Sequence, residues 1–138
     1  IPEGMTPEET IDRIHAQGGL VCVPHPFDRF RRSPLARDAL ERVAHGIDMI
    51  EGLNARNLVG RDNALAQAWA AERGLPVVAG SDAHTYHEIG RARTELPPFA
   101  SAAEFRLALS QTQLRGGRST PLVHLVTAAR KRNPFRKR

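Results

Sequence analysis

Three short stretches of this 138-residue chain end in side chains able to do chemistry. "PHPFDRFR" offers His25, Asp28, Arg29, Arg31 and Arg32; "EGLNAR" offers Glu51, Asn54 and Arg56; "GSDAHTYHE" offers Asp82, His84, His87 and Glu88. Imidazoles and carboxylates in one set favour zinc, manganese or iron, because calcium and magnesium prefer oxygen-only shells. Arginine forks beside them suit phosphoryl oxygens. The chemistry implied is hydrolysis of a phosphate ester by metal-activated water, with Arg29 and Arg56 on the non-bridging oxygens. Each residue alone has a plainer reading. His25 between two prolines is a turn histidine, Glu51 an ion partner for an arginine, and Asp82 a turn cap bonding its own backbone. His87 and Glu88 either orient the Asp-x-His pair or touch substrate, against the reading of a solvated loop. Their arrival together is what favours the metal.

That arrival depends on the elements. Thr6, Pro7 and Glu9 spell a capping box for a first helix, with Ile11 and Ile14 inward and Gly18-Gly19 as the stop. "LVCVPHPF" is a continuous apolar run of the kind a sheet buries on both faces. Ser33 and Pro34 open a second helix running to about His45. "IDMIEGLNAR" is a second strand, and "GRDNALAQAWAAERG" a third helix with Leu65 and Trp69 on one face. "LPVVAGSDAH" is a third strand, and "GRARTEL" a fourth. Ser101 and Glu104 start a further helix, and "TPLVHLVTAARKR" the last, with Leu122, Leu125 and Val126 inward. From His25 to Glu51 and from Glu51 to Asp82 the spacings are 26 and 31 residues, the rhythm of βα units and a parallel sheet. The C-terminal strand ends of such a sheet share one face, where sites are built.

Composition narrows the class. Apolar content is 41%, without a run near the roughly 20 residues of a membrane-spanning helix. Cys22 is the single cysteine, so no internal disulfide forms, and a reducing cytoplasm is the expected setting. Within "LVCVP" it is expected to be a small buried hydrophobe. The net charge of +5 is uneven. From Gln113 onward there are eight basic residues and no acid, whereas the first 112 residues hold twelve basic and fifteen acidic groups. The tail "RKRNPFRKR" is either a solvated end or a polyanion contact, such as nucleic acid. His45 and His124 are expected to be structural. No serine or cysteine nucleophile with its base is evident, and "RGGR" at 115–118 lacks the Walker spacing and its lysine.

"GGLVCVPHPFDRFR", "IDMIEGLNAR" and "LPVVAGSDAHTYHEIGRART" resemble the later motifs of the PHP family, named for polymerase and histidinol phosphatase. The resemblance covers about residues 4–110 and is nearest to the stand-alone metal-dependent phosphoesterases. It implies a distorted (β/α)7 barrel with up to three divalent metal ions. It also implies that His25, Asp82 and His84 are metal ligands and that Glu51 sits beside metal or substrate. The family's opening His-x-His motif has no counterpart, since His15, mid-helix, cannot replace it. The expectation is therefore an incomplete barrel: residues 1–112 form its C-terminal part and residues 113–138 a helix and basic tail. Alone, this piece is expected to hold metal weakly, to turn over little substrate, and to be able to dimerise through its open sheet edge. Substrates would be phosphorylated small molecules or nucleotides. Two alternatives stand beside this: a non-catalytic, nucleic-acid-associated module using the tail, and a nuclease acting on oligonucleotides or nucleotide ends.

Overall fold

A computed structural model describes residues 1–30 and 35–131. The segment containing Arg31, Arg32, Ser33 and Pro34, and the end of the basic tail from residue 132, lie outside the described residues. Helix α1 (Pro7–His15) begins as its sequence dictates. The Thr6 side chain accepts the Glu9 amide at 3.2 Å while Glu9 accepts the Thr6 amide at 2.9 Å, so two otherwise orphaned donors are satisfied reciprocally.

Strand β1 is only Cys22–Val23, shorter than the apolar run suggests. Pro24 follows, and His25 takes a positive φ of 32°, so the chain cannot continue as a ladder. The run is not buried on both faces: Val23 is buried, and Cys22 is exposed, contrary to its expected burial. Helix α2 (Arg37–Arg42) starts later than Ser33-Pro34 and lacks a side-chain cap at Ala36. A 3₁₀ turn at Ala44–Gly46 then leads into β2 (Met49–Asn54).

Helix α3 (Gly60–Glu72) lies against β2. Gly52 permits this approach, because a Cβ there would meet Gln67 Cγ at 2.9 Å and Val77 Cγ1 at 3.1 Å. Gln67 donates to the Gly52 carbonyl at 2.8 Å in the space so opened. The buried face of α3 is Asp62, Asn63, Ala66, Trp69 and Ala70. Leu65 does not join Trp69 there; it is 36% exposed.

Strands β1, β2 and β3 (Val77–Gly80) form a parallel sheet in that order. A register irregularity between Glu51 and Leu53 bends β2 just before its exit. The core gathers Ile11, Val21, Val23, Leu40, Val43, Ile47, Ile50, Ala66, Trp69 and Ala70. The Trp69 indole donates to Glu41 at 2.9 Å, so its one polar atom is satisfied.

The fourth strand is present as β4 (Ala92–Glu95). Beyond it, α4 (Ala102–Ala108) starts at Ser101, whose hydroxyl accepts the Glu104 amide at 3.2 Å. Strand β5 (Gln113–Gly116), unforeseen in the basic segment, pairs antiparallel with β4. This two-stranded unit meets β3 through side chains. Thr94 Oγ1 accepts the Ala79 amide at 2.8 Å, and Thr112 Oγ1 donates to the Val77 carbonyl at 3.0 Å. The last helix, α5 (Leu122–Lys131), does not turn Leu122 and Leu125 inward. They are 65% and 67% exposed, while the side chain of Val126 lies outside the described residues.

Candidate metal and phosphate site

Because β1, β2 and β3 run parallel, their exits lie at one end of the sheet. Glu51, near the end of β2, occupies the middle. Its Oε2 accepts the His25 amide at 2.7 Å and the Asn54 side-chain amide at 2.9 Å. Its Oε1 lies where a Cβ on Gly80 would fall, so only a glycine at the end of β3 lets this carboxylate reach across. One buried acid thereby bonds the exits of β1 and β2 and lies against that of β3.

An asparagine cluster supports that exit. The Asn63 side chain, on the first turn of α3, accepts the Asn54 amide and donates to the Asn54 carbonyl, both at 3.1 Å. Asn57 also donates to Asn63 at 2.6 Å, and Asn54 Oδ1 accepts the Arg56 amide at 2.8 Å. Asn63 and Asn57 were not foreseen as site residues. Three asparagines within ten positions around a strand-to-helix turn were the available signal.

The third exit turns sharply. Asp82 has a φ of 49°, in the left-handed region that aspartate tolerates better than most residues. His84 Nδ1 lies 2.7 Å from the Asp82 carbonyl oxygen and 3.8 Å from Asp82 Oδ1. Glu88, on the 3₁₀ turn Tyr86–Glu88, is 1% exposed and reaches back to this turn. Its Oε2 accepts Thr85 Oγ1 at 2.9 Å and the His84 amide at 3.2 Å, and its Oε1 accepts Arg56 Nη1 at 2.6 Å. Burial works to raise the Glu88 carboxyl, but the bonds from Thr85 and His84 and the Arg56 charge together hold it below its usual range.

The arginines are engaged. Arg29 forks onto Asp62 at 2.6 and 3.0 Å, with half of its side chain exposed and Asp62 fully covered. Arg56, 5% exposed, is divided between Glu88 and Thr127 Oγ1, the latter at 3.1 Å. His124 Nε2 lies 3.0 Å from the Arg56 carbonyl oxygen, a structural contact, and the residue also lines a cavity of about 270 Å³. Asp28, Arg56 and His84 line the same cavity, with Thr127 on its α5 wall. Asp28 is buried and caps its own loop by accepting the Phe30 amide at 3.0 Å. His87 is exposed beside the cavity-lining turn. The Cys22 thiol is pushed up to about 11, by burial of its sulfur and then by the Glu51 charge, although the residue as a whole is exposed. It is thus a protonated thiol at neutral pH and not a nucleophile.

The structure therefore makes two neighbouring groupings: His25 with Glu51 and Asn54, and Asp82 with His84, Glu88 and Arg56. The donor types suit a divalent transition metal. The number does not: among the described residues no three His, Cys, Asp or Glu side chains stand at metal-holding distance. No helix among them is long and apolar enough to cross a membrane.

Comparison with known proteins gives two relatives and one family model. The chain is 35% identical over 95 residues to an uncharacterized protein of Methanocaldococcus jannaschii, covering 67% of this chain. A second uncharacterized protein of that organism is 39% identical over 67 residues, 48% of this chain. The chain spans 40% of the length of the first and 36% of the second. The family model described as PHP-associated matches residues 60–114, from the start of α3 into β5, and this match supports kinship with the PHP-associated domains.

Proposed function

We propose that this chain is the C-terminal portion of a PHP-type metal-dependent phosphoesterase, a hydrolase of phosphate esters. The observation that carries the reading is the meeting of three parallel strand exits around Glu51, with His25 and Asp82 both held in left-handed backbone. Non-glycine residues in that conformation cluster at functional sites. A larger (β/α)7 barrel, of which β1 to β3 are one part, would supply the remaining donors. Zinc, manganese or iron, up to three ions in the complete domain, would contribute a water of lowered pKa and charge to offset that of the phosphoryl oxygens.

In this reading His25, Asp82 and His84 are the donors from this chain. Glu51 fixes the His25 backbone and stands beside metal or substrate. Arg29, half exposed, is the better phosphate contact, and it must turn from Asp62 to act. Arg56 lines the cavity, and His87, exposed on the neighbouring turn, is assigned to substrate contact. The substrate class is a phosphorylated small molecule or a nucleotide, in a cytoplasmic setting.

The test is metal analysis of the full-length protein together with hydrolysis of p-nitrophenyl phosphate. Retained transition metal and turnover are expected, with Asp82→Asn and His84→Ala each lowering both by more than about tenfold. A full-length protein free of metal and inactive sinks the proposal. Salt-sensitive binding of DNA or RNA by such a protein would instead favour a module acting through the basic tail. Release of nucleotides from oligonucleotide ends, with metal bound, would define the enzyme as a nuclease.

A further inference from the structure

Arg56 and Glu88 form a buried ion pair whose outer bonds run to two different elements. On one side, Glu88 Oε2 takes the His84 amide and the Thr85 hydroxyl. On the other, Arg56 Nη2 donates to Thr127 Oγ1, and the Arg56 carbonyl lies 3.0 Å from His124 Nε2, both residues of α5. The approach to α5 follows the same loop, with the Ser119 amide donating to the Ala55 carbonyl at 2.6 Å and Arg118 to the Leu58 carbonyl at 2.7 Å. A path of directed bonds thus connects the turn carrying His84 to the helix that walls the cavity.

We infer that α5 is a specificity-determining wall whose seating is transmitted to His84 through the positioning residues Arg56 and Glu88. This rests on the phosphoesterase reading for what the cavity accepts, but the coupling itself is a property of the chain. Glu88 is at once the acceptor for the His84 amide and the partner of Arg56, and both residues are nearly covered. A shift of α5 that withdraws Thr127 frees one arm of the guanidinium. The pair then re-forms in another geometry, and the His84 turn moves with Glu88. Substrates that press on α5 would thereby change the alignment of His84 through the chain itself.

The experiment is amide hydrogen exchange at His84 and along α5 in the metal-free chain, for Thr127→Val, Thr127→Ser and Glu88→Gln. Thr127→Val removes the hydroxyl that accepts from Arg56. It is expected to speed exchange of the His84 amide by about fivefold, the size of one lost hydrogen bond. Thr127→Ser, which keeps the hydroxyl, is expected to restore protection. Glu88→Gln is expected to raise exchange at both His84 and α5. If Thr127→Val loosens α5 alone, or Glu88→Gln loosens His84 alone, the coupling is refuted. Exchange is read without metal or substrate, so an inactive full-length protein would overturn the phosphoesterase reading and leave this result standing. In active full-length protein, Thr127→Val is expected to alter KM for bulky phosphate esters more than for p-nitrophenyl phosphate. An equal change for both removes the specificity role.

Discussion

His25 and Asp82 hold left-handed backbone, at a cost on the order of 1 kcal/mol each. Each conformation turns the chain at a strand exit and aims the next residues across the end of the sheet. Glu51 answers from the centre, and Gly80 leaves it room. Gly80→Ala is therefore expected to displace the Glu51 carboxylate and destabilise the fold by about 1–3 kcal/mol in urea unfolding. The His25 amide resonance should shift with it, since that amide donates to Glu51 at 2.7 Å. An alanine variant with unchanged stability and an unmoved His25 amide would contradict this geometry. The residue types at these positions were legible in the sequence, because chemistry-bearing side chains follow apolar strands. The signs of φ at His25 and Asp82 were not, since they depend on how neighbouring strands trap the turns. Nor were the partners of Arg29 and Arg56, because Asp62 and Glu88 lie 33 and 32 residues away and meet them only in the folded chain.

Elements are joined here by single carboxylates. Asp48 precedes β2, accepts the Val21 amide at 2.8 Å, and meets His15 of α1 at 2.9 Å and Arg106 of α4 at 2.8 Å. Burial works to raise its carboxyl, but the Val21 amide, His15 and Arg106 together hold it below the ordinary value of 3.8. A depressed folded-state value means that the ionised acid stabilises the fold above the unfolded value, and that this is lost as pH falls through the lower folded value. Asp48→Asn is expected to cost about 1–2 kcal/mol at pH 7. The gap from wild type should close as urea titrations are taken down toward pH 3. A gap that stays constant with pH would refute the ionic contribution. Helix α1 and the cap of α4 were readable because capping is a local hydrogen-bond pattern. The length of β1 was not, since Pro24 and the turn at His25 cut short an apolar run that reads as a longer strand. The exposure of Leu122 and Leu125 also escaped the pattern. Among the described side chains, the polar contacts of Thr127 and His124 join α5 to the Arg56 loop.

At the scale of the whole molecule, α1, α2 and α3 pack on a small parallel sheet whose β1 has β2 as its one partner among the described residues. Beside β1 runs an apolar cavity of about 340 Å³ lined by Met5, Ile11, Ile14, Val21, Val23 and Leu35. A short strand edge beside apolar surface is a pairing template. The isolated 138-residue chain is expected to associate with rising concentration in sedimentation velocity, and Cys22→Lys, at the exposed position of β1, to suppress it. A wild-type chain monomeric at high micromolar concentration would count against that.

The hydroxyls of Thr94 and Thr112 meet this sheet at one flank. They occupy the Ala79 amide and the Val77 carbonyl on the outer side of β3, so a further strand finds those groups already taken. The β4–β5 unit thus covers that flank through two side chains and not through a backbone ladder. A strand added at the other flank, beside β1, would lie next to Cys22, Pro24 and the His25 turn. Two threonines thus fasten a second sheet to the first without lengthening its ladder.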